Sequence, residues 1–79
     1  MIAIVDYGMG NLRSVQKAFV RVGYEAAITS SPQRIEAASG VVLPGVGAFG
    51  EAMTNLEQAG LVSVLRRAAA ERPFMGICL

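Results

Sequence analysis

Histidine and tryptophan are absent from the 79 residues, and cysteine occurs once. One cysteine excludes an intrachain disulfide, and a lone thiol without any imidazole makes no zinc site. Charge is scarce as well: seven basic and six acidic residues are interspersed, for a net charge of +1. They form no polybasic stripe, so the chain has no electrostatic footprint for nucleic acid. Apolar runs stay far below the ~20 residues that cross a bilayer. Residues 1–6 lack the basic and long apolar regions of a secretory signal, so a cytoplasmic location is the expectation, and a free thiol suits it. Repeats, linkers and low-complexity tracts are missing too.

Apolar side chains are plentiful. Hydrophobic residues make up 53% and charged residues 16%, which is the composition of a core rather than of a disordered tail. A domain of this size buries only ~60% of its unfolded surface and is marginal without a disulfide, a metal or a partner. So much apolar material in so short a chain suggests part of a larger buried structure.

Ile2-Ala3-Ile4-Val5 is apolar on both faces and rich in β-branched residues, the pattern of a central parallel strand. Gly8 and Gly10 mark a turn, and Asn11 is placed to cap a helix. Leu12, Val15, Ala18, Phe19 and Val22 then recur at helical spacing, opposite Arg13, Ser14, Lys17 and Arg21. Gly23 stands where a left-handed glycine ends a helix. A weaker strand is expected over 25–29, followed by Ser31-Pro32 as N-cap and first helical residue of a short helix. Val41-Val42-Leu43 is a third buried strand, closed by Pro44-Gly45-Val46-Gly47. Residues 49–59 read as a helix with Ala52, Met53 and Leu56 on one face, broken by Gly60. Residues 61–72 read as another, with Val62, Leu65 and Ala69 inward and Arg66, Arg67 and Arg72 outward, stopped by Pro73. Phe74-Met75-Gly76-Ile77 is a fourth strand leading into Cys78-Leu79. The order β-α-β-α-β-α-α-β implies a parallel sheet with right-handed crossovers and helices on its faces. Function in such sheets sits at the carboxyl ends of the strands.

Three such ends carry unusual residues. Cys78 ends an apolar strand with Gly76 two residues before it, as at the start of a nucleophile elbow, where a tight strand-to-helix turn demands small neighbours. Gly-x-Cys alone fits a buried structural cysteine better than a nucleophile. In Pro44-Gly45-Val46-Gly47, two glycines around one residue let that peptide turn its N–H toward a ligand. With the N–H of Leu79 it would make a two-donor oxyanion hole; an ordinary strand-to-helix turn is the plain alternative. Gly8-Met9-Gly10 suggests a dinucleotide fingerprint, but Arg13 stands where the third glycine belongs. The chain also lacks G-K-[ST], which excludes a P-loop. A turn with a surface role is the expectation there.

Ile4-Val5-Asp6-Tyr7-Gly8-Met9-Gly10-Asn11-Leu12, Leu43-Pro44-Gly45-Val46-Gly47-Ala48-Phe49-Gly50 and Met75-Gly76-Ile77-Cys78-Leu79 occur in that order. Together they resemble the glutamine amidotransferase subunit of imidazole glycerol phosphate synthase, from histidine biosynthesis. The Gly-x-Cys elbow is shared by the whole class I, triad-type superfamily; the first two motifs point to this subunit. The resemblance spans the chain and implies a partial flavodoxin-like three-layer sandwich with a mostly parallel sheet, cut after the nucleophile strand. Residues 1–79 would be the N-terminal part of a single class I amidotransferase domain. Cys78 matches the nucleophile, which attacks the side-chain amide of glutamine and leaves a glutamyl thioester for water. Val46 matches the oxyanion-loop residue, with Leu79 as the second donor, and Gly45 and Gly47 would flank bound glutamine. Asn11 matches a residue near the partner interface. The family needs no cofactor. Its ammonia passes to a (β/α)₈-barrel synthase subunit, the partner of a heterodimer, which forms imidazole glycerol phosphate and an aminoimidazole carboxamide ribotide.

One departure is large. The family's triad His and Glu lie well downstream of the Cys, whereas this sequence has no His and ends one residue after Cys78. The 79-residue chain alone is therefore expected to lack glutaminase activity. A receiver-type signalling module would need paired acids after the first strand and an Asp ending the third, but Asp6 is single and Leu43-Pro44 ends the third. A glutaminase of another amidotransferase, such as that of pyridoxal phosphate synthase, fits the run from Asp6 to Leu12 less well. A non-catalytic paralogue would keep the fold and the barrel contact without the chemistry.

Overall fold

A computed structural model describes residues 1–8, 10–45 and 49–78, without the side chains of Phe49 and Cys78. The elements are β1 (Ile2–Val5), α1 (Leu12–Arg21), β2 (Ala26–Thr29), α2 (Pro32–Ala37), β3 (Gly40–Gly45), α3 (Phe49–Gln58), α4 (Val62–Glu71) and β4 (Phe74–Cys78). The order is the one the sequence predicts. Four strands form one sheet in the order β2-β1-β3-β4, and every pairing is parallel. This is an α/β architecture compatible with a partial flavodoxin-like sandwich.

β1 lies between β2 and β3, which accounts for its apolar character on both faces. Ala3 and Val5 point into the larger core with Ile35, Ala38, Val41, Leu56, Leu61, Val64, Leu65 and Ala68. Ile4 points the other way, to Val15 of α1, Ala26 and Val42. The chain steps from β1 outward to β2, then back across β1 to β3 and on to β4. Crossovers of one hand place α1 on one face and α2, α3 and α4 on the other, as the two cores require.

Local signals set the helix ends. The Asn11 side chain accepts a hydrogen bond from Ser14 N–H at 3.4 Å, and Ser31 Oγ accepts one from Arg34 N–H at 3.4 Å. At the end of α1, Gly23 has φ +96°, Gly23 N–H donates to the Val20 carbonyl and Tyr24 N–H to the Phe19 carbonyl. This is the paired closure of a Schellman motif.

Several expectations need correction. The buried stripe of α4 is Leu61, Val64, Leu65 and Ala68, while Ala69 is exposed and Val62 half-buried. Three successive alanines give the helical pattern no size contrast there, so the phase of the stripe is set by the contact with α2 and β3. Arg72 does not point outward: its side chain is largely covered, and its guanidinium donates to the Ile35 carbonyl at the end of α2. On α1, Ala18 and Val22 are exposed, Val22 as the C-cap.

The third strand also runs on through Pro44 and Gly45, where closure was expected, because β4 pairs with it as far as Gly45. In a strand, N–H and C=O of one residue face the same side. The Pro44 carbonyl faces Tyr7, on the β1 side, beyond the last β1 pair at Val42. The missing N–H of Pro44 is thus not needed by the ladder.

Candidate active site

β1 is followed in sequence by β2 on one side and lies beside β3 on the other, so the chain reverses direction across the sheet between β1 and β3. Crevices at the carboxyl ends of strands form at such switch points. Here the rim is built by Asp6-Tyr7-Gly8 after β1, Pro44-Gly45 at the end of β3 and Cys78 at the end of β4.

Gly45 and Cys78 are register partners on adjacent parallel strands. The backbone of the cysteine therefore stands beside the first glycine of the Pro44-Gly45-Val46-Gly47 segment. A Cβ at Gly45 would lie 3.5 Å from the Ile77 carbonyl oxygen and 4.0 Å from the Tyr7 hydroxyl, ordinary van der Waals contact with both. Val46, Gly47 and Leu79, expected as oxyanion and substrate contacts, lie outside the described residues, as does the Cys78 thiol. At Gly76, a Cβ would meet no described atom within 4 Å. The crowding expected two residues before the cysteine is thus not formed by the described part of the chain.

The first loop is held tightly against this rim. Asp6 N–H donates to the Thr29 carbonyl, which extends the β1–β2 ladder by one bond. The Asp6 carboxylate accepts a hydrogen bond from Gly8 N–H at 3.3 Å, an Asx-type turn. Gly8 and Gly10 adopt φ of +87° and +94°, a region favourable only to glycine. A Cβ at Gly10 would come within 2.7 Å of the Pro44 Cβ. The glycines that invite a dinucleotide fingerprint instead let this loop turn and touch the end of β3. Asn11 is exposed and acts as the cap of α1.

Tyr7 had no role assigned from the sequence. It is buried in the larger core, and its hydroxyl donates a hydrogen bond to the Pro44 carbonyl oxygen. Burial raises its phenol pKa above the ordinary value, so at neutral pH it is a neutral donor. The available signal was a phenol directly after a buried strand, a position where the polar tip must find a partner. Among the described residues, no group of acidic, cysteine or histidine side chains could hold a metal ion, and no helix is long and apolar enough to cross a membrane.

No family model matches the chain. Curated proteins do. The imidazole glycerol phosphate synthase subunit HisH of Moorella thermoacetica is 61% identical over 80 residues, covering 99% of this chain and 38% of the relative. HisH of Geobacter sulfurreducens is 58% identical over 79 residues, with the same coverages. The archaeal HisH of Methanothermobacter thermautotrophicus is 56% identical over 80 residues, covering 100% of this chain and 39% of the relative. The chain thus spans about 38% of the length of the curated relatives it matches. Bacterial and archaeal sequences agree with it from end to end, and over that extent the chain is similar to the HisH subunits of imidazole glycerol phosphate synthase.

Proposed function

We propose that this chain contributes the nucleophile half of a glutaminase, the ammonia-supplying subunit of imidazole glycerol phosphate synthase. In this reading residues 1–79 are the N-terminal part of a single class I glutamine amidotransferase domain working in the cytoplasm. The observation that carries it is the register of Cys78 with Gly45 at the carboxyl edge of the sheet. Cys78 thiolate attacks the carboxamide carbon of glutamine. The C=O electron pair moves to oxygen, and the backbone N–H groups of Val46 and Leu79 stabilise that oxyanion, with Gly45 and Gly47 leaving room for substrate. Collapse of the intermediate restores the carbonyl and expels nitrogen, which leaves as ammonia after gaining a proton. Water then cleaves the thioester to glutamate and frees the thiol.

The proton needs a general acid, and the sequence has no His. The triad His and Glu implied by the family resemblance would complete the site. The 79-residue chain alone is therefore proposed to be inactive. Ammonia passes to a (β/α)₈-barrel synthase partner that makes imidazole glycerol phosphate and an aminoimidazole carboxamide ribotide. Asn11 is proposed to lie near that partner.

The test uses protein expressed from the complete coding sequence, mixed with the synthase subunit. Glutamate should form from glutamine, and Cys78→Ala should abolish it while an external ammonia supply restores synthase turnover. Glutamate formation that survives Cys78→Ala would overturn the assignment.

A further inference from the structure

We propose that Tyr7 is a positioning residue for this glutaminase: its hydroxyl, bound to the Pro44 carbonyl, fixes the end of β3 beside the nucleophile. The inference rests on the glutaminase reading and adds a residue to it.

Pro44 precedes Gly45, and Gly45 is the register partner of Cys78. On its β4 side this end of β3 is held by the ladder. On its β1 side the ladder stops at the Ile4–Val42 pair, two residues short of Pro44. Proline donates no backbone hydrogen bond and glycine adds no side chain, so no β1 ladder bond restrains the Pro44–Gly45 peptide on this side. Tyr7 supplies the missing restraint. Its ring is anchored in the core among residues that include Val5, Val41 and Leu56, so its hydroxyl is a fixed point rather than a swinging one. It donates to the Pro44 carbonyl across 37 positions of sequence. Gly10 touches Pro44 from the same loop, and a Cβ there would collide with the proline. Rotation of the Pro44–Gly45 peptide would redirect the backbone that leads into residue 46. Holding the Pro44 carbonyl thus sets the starting direction of the segment proposed to bind the oxyanion. A small misalignment there costs rate far more than substrate affinity.

The experiment measures glutamate release by the complex of the complete protein with its synthase subunit. Tyr7→Phe keeps the ring and deletes the donor. Its kcat should fall about 10- to 100-fold, with KM for glutamine within about threefold of the parent. Alkylation of Cys78 by iodoacetamide, a direct displacement that forms no oxyanion, should proceed at the parent rate. Replacing Tyr7 with p-aminophenylalanine, which keeps an N–H donor, should restore most of the kcat. A Tyr7→Phe protein with parental kcat overturns the inference. So does one that does not fold, or one whose KM and alkylation rate change along with kcat, because either result assigns the hydroxyl to stability alone. A folded p-aminophenylalanine protein as slow as Tyr7→Phe overturns it too. A parent complex that releases no glutamate from glutamine sinks the glutaminase reading itself, and this inference with it.

Discussion

Tyr7 places an ionisable group in the core, and its raised pKa has a consequence for stability. The folded chain holds the phenol proton more tightly than the unfolded chain does. Below a pH of about 10 both states are protonated, and the contribution of Tyr7 is complete. Above that the unfolded chain ionises first, so stability falls as pH rises toward the folded value. Urea melts between about pH 9 and pH 11 should therefore show a loss of stability that Tyr7→Phe makes shallower. An unchanged slope would mean that the phenol is solvated. Gly10 makes a second residue-scale case. Gly10→Ala forces a side chain into the left-handed region, at about 1–2 kcal/mol, and drives its Cβ against Pro44. The melting temperature should fall by more than it does for Gly23→Ala, where φ is similar but no atom lies within 4 Å.

Among the elements, α1 is a long helix with little burial. Val15 is its only fully buried residue, and Val20, Val22 and Tyr24 are exposed at its end. Its stability leans on the caps. Asn11→Ala should cost about 1 kcal/mol in a thermal or urea melt, and Asn11→Asp, which caps equally well, should cost little. The same pair separates the cap from the proposed interface role. If Asn11 also meets the synthase subunit, Asn11→Asp weakens the complex in a binding titration without lowering the melt. α2 depends on Arg72, whose guanidinium meets the Ile35 carbonyl at 3.1 Å. By contrast, the Arg67–Glu36 pair joins two side chains that are 58% and 43% exposed. Exposure on that scale leaves such a pair worth at most about 1 kcal/mol.

For the whole molecule, the two faces of the sheet are covered unequally. Among the described residues, α2, α3 and α4 pack on one face, whereas α1 alone covers the other. Met75 of β4 is 53% exposed there, beside a shallow apolar groove lined by Ile2, Phe19, Val42 and Phe74. β4 also occupies one edge of the four-stranded sheet. Exposed apolar surface next to an unpaired strand edge favours association. The 79-residue chain on its own should sediment as a concentration-dependent mixture of oligomers, and Met75→Lys should shift it toward monomer. A monodisperse monomer with a sharp cooperative melt would contradict this.

Element order, caps and the central place of β1 were determined by the sequence alone, because they depend on neighbours a few residues apart. Asn11 and Ser31 cap within three residues, Gly23 closes α1 locally, and a strand apolar on both faces has nowhere to sit but the middle of a sheet. The tertiary structure decided the phase of α4, where Ala68 rather than Ala69 is buried, the extension of β3 through Pro44, and the inward turn of Arg72. It also decided that the phenol of Tyr7 meets the carbonyl of Pro44. Each of these follows from strand order and helix docking, which bring together groups that are distant along the chain. A local pattern carries no information about which distant group stands opposite, so only the folded arrangement could supply it.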